Sequence, residues 1–443
     1  MQSVLDVVTP DAPPVERGFS PLDEELKLVP GRLSPSLVQG VLRLGTWMPF
    51  GRVPEMLDYF TKVKVFEAGV RRITEGGGQA YVEVQTAQME ALEKDTPEAP
   101  AGPSVQQVSV DGAFVPLVGK EWAEVKTLAI GKVEAPVLEK GEWVVHTKDL
   151  SYFSRLADHE TFARLATVET HRRGVEKAGL VCAVEDGADW IQDFIDLHRP
   201  DAVRILDWAH AAEYMVKAAQ AVFGAGTAQA SQWLEIQLHE LKHGDPQTVL
   251  GKLRGLRDGL AAQGGREEVL KVVSTSLGYL EKRKDQILYR EFLAAGYPIG
   301  SGAVESANKL VVEDRLKGAG MHWARANVNP MVALRTIACN DRWEEAWPQI
   351  RERLRKQARE RPAMRRAKRR KTDVAPIKAN GPPLAKKRPA PKALVVVGPK
   401  VKDGPNRVQE SSAPRRPAAN HPWRHMSIGR ARFRPHSNTS TKM

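Results

Sequence analysis

Short β-branched runs alternate with turns and helical stretches between residues 104 and 210, and this pattern limits the chain to an α/β fold. Three runs come first: VQQVSVDG, VKTLAIGKV and EWVVHT. Their spacing predicts neighbouring strands of a meander. A helix, the run GLVCAVEDG, a second helix and the run AVRILDWAH follow. Strand-helix-strand units after a meander predict a mixed sheet with covering helices.

A long helical stretch interrupts the sheet-forming sequence. Residues 211–296 are almost wholly helical in pattern, with breaks at GAG, HGDP and QGG, and they predict an all-α insertion. The chain then returns through the turn YPIGSG to further helices. We therefore expect one domain in two parts, residues 104–210 and residues 297–355, on either side of the insertion.

The N-terminal part is predicted to be helical. Residues 1–30 form an irregular leader, and residues 31–96 contain helices that end at a Pro/Gly stretch. Ser34 followed by Pro35 predicts an N-cap with proline in the first turn. The third of three short helices carries four basic residues: Lys62, Lys64, Arg71 and Arg72. This arrangement resembles a DNA-binding helix-turn-helix, and an ordinary helical bundle fits it equally well.

Positive charge is concentrated at the C-terminus. The net charge is +12, but residues 351–443 carry 27 Lys and Arg against 5 Asp and Glu, which leaves residues 1–350 at −10. This segment opens as a continuing helix and then becomes rich in proline, so residues 356–443 predict a basic, largely disordered tail. Such a tail suits phosphate binding by counterion release; the alternative is a solvated linker.

Composition excludes several classes of protein. Two cysteines, Cys182 and Cys339, cannot build a disulfide framework or a four-thiolate metal site. The sequence shows neither a secretory leader nor an apolar run near the ~18 residues that a membrane helix needs. We therefore expect a cytoplasmic protein with no membrane partner.

Three acidic residues occur where a sheet can bring them together. Asp111 and Asp186 each end a β-branched run, so both are expected at C-terminal ends of strands, where α/β sheets collect ligands. Glu305 lies in the first turn of a helix that Ser301 can cap. Each acid also has a local explanation, because D-G is a common turn dipeptide and the helix dipole favours acids in a first turn.

Two blocks of this sequence resemble those of bacterial insertion-sequence transposases of the DDE class, most closely the Kra-type family. The segment EDGADWIQDFIDLHRPDAVRILDWAHAAEYM is similar to the block around that family's second aspartate and its D-x-x-H element. PIGSGAVESANK, continued by RLKGAGMHW, is similar to the glutamate block. The resemblance covers about residues 20–355 and implies an RNase H-like, retroviral-integrase-type mixed sheet.

The resemblance implies a catalytic, metal-binding triad of Asp111, Asp186 and Glu305. Carboxylate oxygens suit Mg²⁺ or Mn²⁺, and two such ions can activate the nucleophile and stabilise the leaving oxygen of a phosphodiester. The implied reaction is strand cleavage at the element's ends, followed by attack of the freed 3′-OH on target DNA. The alternatives for the second acid are Asp207, which forms the D-x-x-H element with His210, and two near neighbours, Glu185 and Asp189.

The implied partners are double-stranded DNA, at the element ends and the target, and further copies of the chain, because two ends must be held together. The implied location is the bacterial nucleoid. Arg315 and Lys317 are further candidates for DNA contact, and Trp323 is either a base contact or a core residue. A second class is also open: a non-catalytic, domesticated or decayed transposase that still binds DNA.

One motif points to different chemistry. His239 and His243 are the histidines of an H-E-x-x-H sequence, which in zinc hydrolases binds the metal. The apolar residues Leu234, Leu238 and Leu241 define a buried face on the other side, and Gly244 ends the helix at once. We therefore expect an exposed helix end here, where His243 suits the dipole.

Overall fold

The computed structural model describes residues 28, 31, 33–139, 141–264 and 266–373. The predicted leader, apart from its residue 28, and the predicted tail beyond residue 373 lie outside these residues. Within the described part of the chain, no helix is long and apolar enough to cross a membrane.

A five-stranded mixed sheet forms the centre of the fold. Across the sheet, its strands are β5 (Thr147–Arg155), β2 (Trp122–Val133), β1 (Val105–Pro116), β6 (Leu180–Glu185) and β7 (Val203–Leu206). Strand β2 is antiparallel to both β1 and β5, whereas β6 is parallel to β1 and β7 is parallel to β6. The predicted α/β class and the predicted meander are therefore confirmed. Strands β3 (Val137–Glu139) and β4 (Glu142–Val144) form a separate hairpin.

Two strand predictions are wrong. Asp111 does not end its strand, because β2 pairs with β1 as far as Pro116. Only the parallel pairing with β6 stops earlier, at Val108. The third run, EWVVHT, supplies strand β4 of the small hairpin and only the first residue of β5. The sheet strand consists mainly of the residues that follow, because these bury Phe153 against the ring of Phe162.

Alternation along β1 directs its side chains to two different layers. Val108 and Val110 pack with Phe162 and Phe194 on helices α4 (His159–Arg172) and α5 (Asp189–His198). Asp111 and the odd-numbered residues after it point the other way, so Val115 joins a core with helix α11 (Gly302–Ala307). Period-two alternation therefore turns Asp111 toward the glutamate block.

The N-terminal helices are α1 (Pro35–Trp47), α2 (Val53–Thr61) and α3 (Glu67–Lys94). The Ser34 cap is confirmed, since its hydroxyl accepts a hydrogen bond from the Leu37 N–H at 3.3 Å. The predicted short third helix is wrong: α3 has 28 residues and continues through three glycines. Helix α12 (Arg325–Cys339) explains this, because a Cβ at Gly78 would lie 2.2 Å from the Pro330 carbonyl oxygen.

The predicted helical insertion contains α6 (Trp208–Phe223), α7 (Ala228–His243), α8 (Pro246–Gln263), α9 (Glu267–Lys282) and α10 (Tyr289–Ala294). Three of these helices end where the predicted breaks begin. Their core includes Met215, Leu250 and Leu277 and continues onto the sheet through Val184 and Ile205.

Helix α11 continues without a break into a π-helical segment (Asn308–Glu313) and a final turn (Asp314–Leu316). A π segment leaves carbonyls displaced from regular α-helical bonding. The buried Arg335 of α12 donates hydrogen bonds to two of them, those of Leu310 and Val311. The last helix, α13 (Trp343–Asp373), is the predicted continuation into the tail.

Candidate active site

Asp111 is partly buried and contacts the glutamate-block helix directly. Its Oδ1 accepts a hydrogen bond from the Gly112 N–H at 2.6 Å, and its Oδ2 accepts one from Asn308 Nδ2 at 2.8 Å. Burial raises the pKa of Asp111 above its usual range, the hydrogen bonds oppose that rise, and the nearby Asp186 carboxylate adds to it. His210 acts in the opposite direction and lowers the pKa. Asp186 and His210 are therefore each within electrostatic reach of Asp111.

Asp186 follows β6 in a tight turn that the insertion holds. Its Oδ1 accepts a hydrogen bond from the Ala188 N–H at 2.8 Å, and its backbone carbonyl accepts one from the Tyr279 hydroxyl. Arg283 donates to the Gly187 carbonyl at 3.2 Å. Gly187 has a φ of 80°, and a Cβ there would lie 2.2 Å from Arg283 Nε, so the turn requires glycine.

Asp207 is buried, and both of its carboxylate oxygens accept hydrogen bonds from backbone groups. Oδ2 caps α6 through the His210 N–H at 3.1 Å, and Oδ1 accepts from the Ser301 N–H at 2.7 Å. Its own N–H donates to the Glu185 carbonyl at 2.7 Å. Asp207 thus ties the end of β7 to the start of the glutamate block.

Glu305 lies on the exposed side of α11, and its Oε1 accepts a hydrogen bond from the Ser301 hydroxyl at 3.5 Å. It is one helical turn before Asn308, so both share a face of the helix. Among the described residues, no group of three or more His, Cys, Asp or Glu side chains is close enough to hold a metal ion. The structure therefore brings Asp111 and Asp186 near each other. Glu305 lies one helical turn before Asn308, the residue that contacts Asp111.

Sequence reasoning missed Asn308. Its side chain is 6% exposed, and within the described part of the chain its Oδ1 has no hydrogen-bond partner. The helical spacing from Glu305 was the available signal. Two carboxylates and an amide oxygen are the hard donors that Mg²⁺ and Mn²⁺ prefer, so the residues present fit such a cation.

The two near neighbours of Asp186 point elsewhere. Glu185 is buried, and its Oε1 accepts a hydrogen bond from Gln192 on α5, on the far side of the sheet from Asp111. Burial raises the pKa of Glu185 to about 7. Asp189 is exposed and forms an ion pair with Lys282, with 2.5 Å between Oδ1 and Nζ.

The N-terminal basic residues are exposed, but not all of them are helical. Lys62 and Lys64 lie in the link between α2 and α3, and only Arg71 and Arg72 lie on α3. Three aromatic rings on the same stretch are also largely exposed: those of Tyr59, Phe60 and Phe66. The predicted basic third helix is therefore an exposed basic and aromatic segment that ends in a long helix.

Arg315, which was predicted as a candidate for DNA contact, is instead a core residue. It is 2% exposed, and its guanidinium carbon lies 4.8 Å from the ring centroid of Phe50 and 5.2 Å from that of Trp323. Burial lowers its pKa to about 10. Trp323 is likewise buried, in agreement with the core alternative. Lys317 is exposed and pairs with Glu313, with 2.5 Å between Nζ and Oε1.

The H-E-x-x-H sequence lies at the end of α7. His239 and His243 are exposed, with ring centroids 5.1 Å apart, and Leu241 is buried on the other face. The predicted exposed helix end is confirmed. The described residues offer these histidines no third ligand that would complete a metal site.

No protein-family model matches this sequence, and no curated protein matches it significantly. The functional interpretation therefore depends on the geometry of the site and on the resemblance carried by the two sequence blocks.

Proposed function

We propose that this protein is a DNA transposase with an RNase H-like catalytic domain, which cleaves the ends of an insertion sequence and transfers the freed 3′-OH to target DNA. The observation that carries the proposal is the approach of Asp186 to Asp111 from neighbouring parallel strands, opposite the helix of the glutamate block. Asp186 and this helix belong to the two sequence blocks that resemble the transposase family, and Asp111, far from both in the chain, is the first acid of the triad that the resemblance implies.

The architecture supports the same proposal. An antiparallel meander joined to two parallel strands is the kind of mixed sheet that the resemblance implies. The helical insertion interrupts the chain between the second aspartate and Glu305. It shares a core with β6 and β7 and holds the Asp186 turn, so it belongs to the construction of the site.

Asp111 and Asp186 would hold Mg²⁺ or Mn²⁺, and Glu305 would join them by a change of side-chain rotamer from its exposed position. Bound divalent cations at such sites activate a water or a 3′-hydroxyl and stabilise the leaving oxygen. His210, which is within electrostatic reach of Asp111, would orient the scissile phosphate. Asp207 acts through Ser301 and His210, whose backbone groups it holds in place.

Exposed lysine and arginine side chains would bind the DNA backbone. In the proposal the DNA backbone contacts Lys317 and the N-terminal basic segment, and the basic tail adds non-specific affinity. Two or more copies of the chain hold the two DNA ends, and the protein works at the bacterial nucleoid.

Nicking of a labelled duplex tests this function. The duplex carries the DNA that flanks the reading frame, and the assay compares Mg²⁺ and Mn²⁺ with EDTA. We expect metal-dependent nicking that falls by more than about 100-fold in Asp186→Asn, because a ligand is lost. The matched control is Asp189→Asn, because Asp189 is an exposed acid on α5 close to Asp186 in the chain. This variant should nick DNA like the wild type. Loss in Asp207→Asn but not in Asp186→Asn would move the second ligand to Asp207.

A non-catalytic DNA-binding protein is the second candidate. The exposed position of Glu305, away from the two aspartates, favours it. This candidate predicts binding to the flanking DNA without cleavage under either metal, and no effect of Asp186→Asn on that binding.

A further inference from the structure

We propose that Asn308 is an oxygen ligand of the divalent cation at this site, next to Asp111, and that its amide group holds the Asp111 carboxylate in position at the same time. This inference rests on the proposed function and extends its metal site by one residue. It is carried by the contacts of the Asn308 side chain.

The two ends of the Asn308 amide are in different situations. Nδ2 donates to Asp111 Oδ2 at 2.8 Å, which fixes the orientation of the group. Oδ1 is the other end of the same amide group, and no described residue donates a hydrogen bond to it. The side chain is 94% buried by area, since 6% of it is exposed. A buried oxygen without a partner is costly, and native proteins rarely leave one unless it serves a ligand or water.

A cation supplies the missing partner and agrees with the surrounding charges. Oδ1 carries partial negative charge, the other end of the same amide contacts the Asp111 carboxylate, and the Asp186 carboxylate is within electrostatic reach of Asp111. Asparagine carbonyls and aspartate carboxylates are common ligands of hard divalent cations. The same side chain thus binds with its oxygen and orients the neighbouring ligand with its nitrogen.

The backbone supports Asn308 in this place. Asn308 is the first residue of the π-helical segment of α11. Single-turn π segments are frequently found at functional sites, where they redirect a side chain. The buried Arg335 compensates for the irregular helical bonding by donating hydrogen bonds to the Leu310 and Val311 carbonyls. The irregular turn is therefore a stabilised feature of the helix that presents Asn308 to Asp111.

A role confined to positioning makes a different prediction for one substitution. Asn308→Asp keeps an oxygen at the Oδ1 position but replaces the donor nitrogen with a second oxygen. If Asn308 is a ligand, this variant binds the cation at least as well as the wild type. If Asn308 acts only as a donor to Asp111, the variant loses that function, and its metal binding weakens as much as that of Asn308→Ala.

The experiment is a Mn²⁺ titration of the full chain without DNA, in which the electron paramagnetic resonance signal of the free ion measures how much Mn²⁺ is bound. We expect Asn308→Ala to weaken Mn²⁺ binding by about tenfold or more and Asn308→Asp to match or exceed the wild type. Asn308→Leu keeps the number and branching of the side-chain heavy atoms and serves if the alanine variant does not fold. The control is Asn327→Asp, because Asn327 Nδ2 donates to the Glu75 carboxylate at 2.8 Å, away from the two aspartates.

Thermal unfolding provides a second readout. In EDTA, Asn308→Asp should unfold at a lower temperature than the wild type, because two carboxylates then face each other without a cation. Added Mn²⁺ should raise its unfolding temperature more than that of the wild type. Asn327→Asp should respond to Mn²⁺ like the wild type.

The outcomes separate this inference from the proposed function. If wild-type binding of Mn²⁺ depends on Asp111 and Asp186 but is unchanged in Asn308→Ala, the metal site stands and Asn308 is not a ligand. Equal weakening in Asn308→Ala and Asn308→Asp also overturns the ligand role. The metal site and the ligand role both fail if the wild type does not bind Mn²⁺. They also fail if Asp111→Asn binds Mn²⁺ as tightly as the wild type does.

Discussion

The Tyr279 hydroxyl on α9 donates a hydrogen bond to the backbone carbonyl of Asp186, which lies 93 positions earlier in the chain. Arg283, one turn further along, donates to the Gly187 carbonyl. A helix of the insertion therefore positions an acid that belongs to the sheet. This link shows how a helical block between two parts of a domain can fix the position of a residue that follows a sheet strand.

Tyr279→Phe removes that hydrogen bond and keeps the ring, which stacks on Tyr214 with 3.8 Å between centroids. We expect the free energy of unfolding to fall by about 1 kcal/mol and Mn²⁺ affinity to fall with it, because the Asp186 turn loosens. Urea unfolding and a Mn²⁺ titration measure the two effects. Tyr214→Phe is the control, since it preserves the stacked pair. Normal Mn²⁺ affinity in Tyr279→Phe would show that the turn does not need this bond.

Glu185 should make stability depend on pH. Burial raises its pKa to about 7, so the folded state holds this proton more tightly than the unfolded chain does. The resulting stabilisation is complete below about pH 4 and is lost as the pH rises through about 7. We expect Glu185→Gln to be more stable than the wild type at about pH 8 by about 1–3 kcal/mol, with little difference at about pH 5. Urea unfolding across this range tests it, with the exposed Glu235→Gln as control.

Arg315 and Lys317 should behave oppositely although they are two positions apart. Arg315→Ala empties a buried site between Phe50 and Trp323, so we expect a loss of about 3 kcal/mol in the free energy of unfolding. Lys317→Ala should change stability by less than about 0.5 kcal/mol and weaken DNA binding. Urea unfolding and DNA binding at a fixed salt concentration check both. A stable Arg315→Ala protein with weakened DNA binding would return Arg315 to the list of DNA contacts.

Substitution of Asp186 should mainly affect Mn²⁺ binding, whereas substitution of Asp207 should mainly affect the free energy of unfolding. Asp207 accepts hydrogen bonds from the Ser301 and His210 backbones, so Asp207→Ala should cost about 1–2 kcal/mol of unfolding free energy. Asp186→Ala should cost less and should abolish Mn²⁺ binding. Denaturant unfolding and the metal titration, run on both variants, distinguish these roles. Equal loss of Mn²⁺ binding without loss of stability in Asp207→Ala would make Asp207 a ligand.

Removing residues 375–443 tests the tail. These residues carry 15 Lys and Arg against 2 Asp and Glu, and each phosphate contact contributes about 0.9 to the slope of log affinity against log salt for duplex DNA. We expect the truncated chain to keep its cleavage activity, bind DNA more weakly and show a flatter slope. Binding to one duplex over a salt series measures this. An identical slope for both chains would mean that the tail is a linker.

Local sequence patterns were sufficient for the features that depend on local backbone preferences. The Ser34 cap, the meander followed by strand-helix-strand units, and the ends of α6, α7 and α8 all follow from capping residues, glycine and β-branched runs. The resemblance also selected Asp111 and Asp186, which the sheet then brings near each other.

Other features were decided by contacts between residues far apart in the chain. Gly78 continues α3 because Pro330 packs closely against it, and Arg315 is buried because it reaches Gly45, 270 positions away, and two aromatic rings. Asn308 reaches Asp111 across 197 positions. Residue type and spacing identify an amphipathic helix or a strand, but they carry no information about which distant backbone or carboxylate a side chain will meet. That pairing arises only when burial of apolar surface brings the sheet and the helices together. The same packing gives the two aspartates different surroundings: Asp207 accepts hydrogen bonds from backbone groups, and Asp186 lies near Asp111.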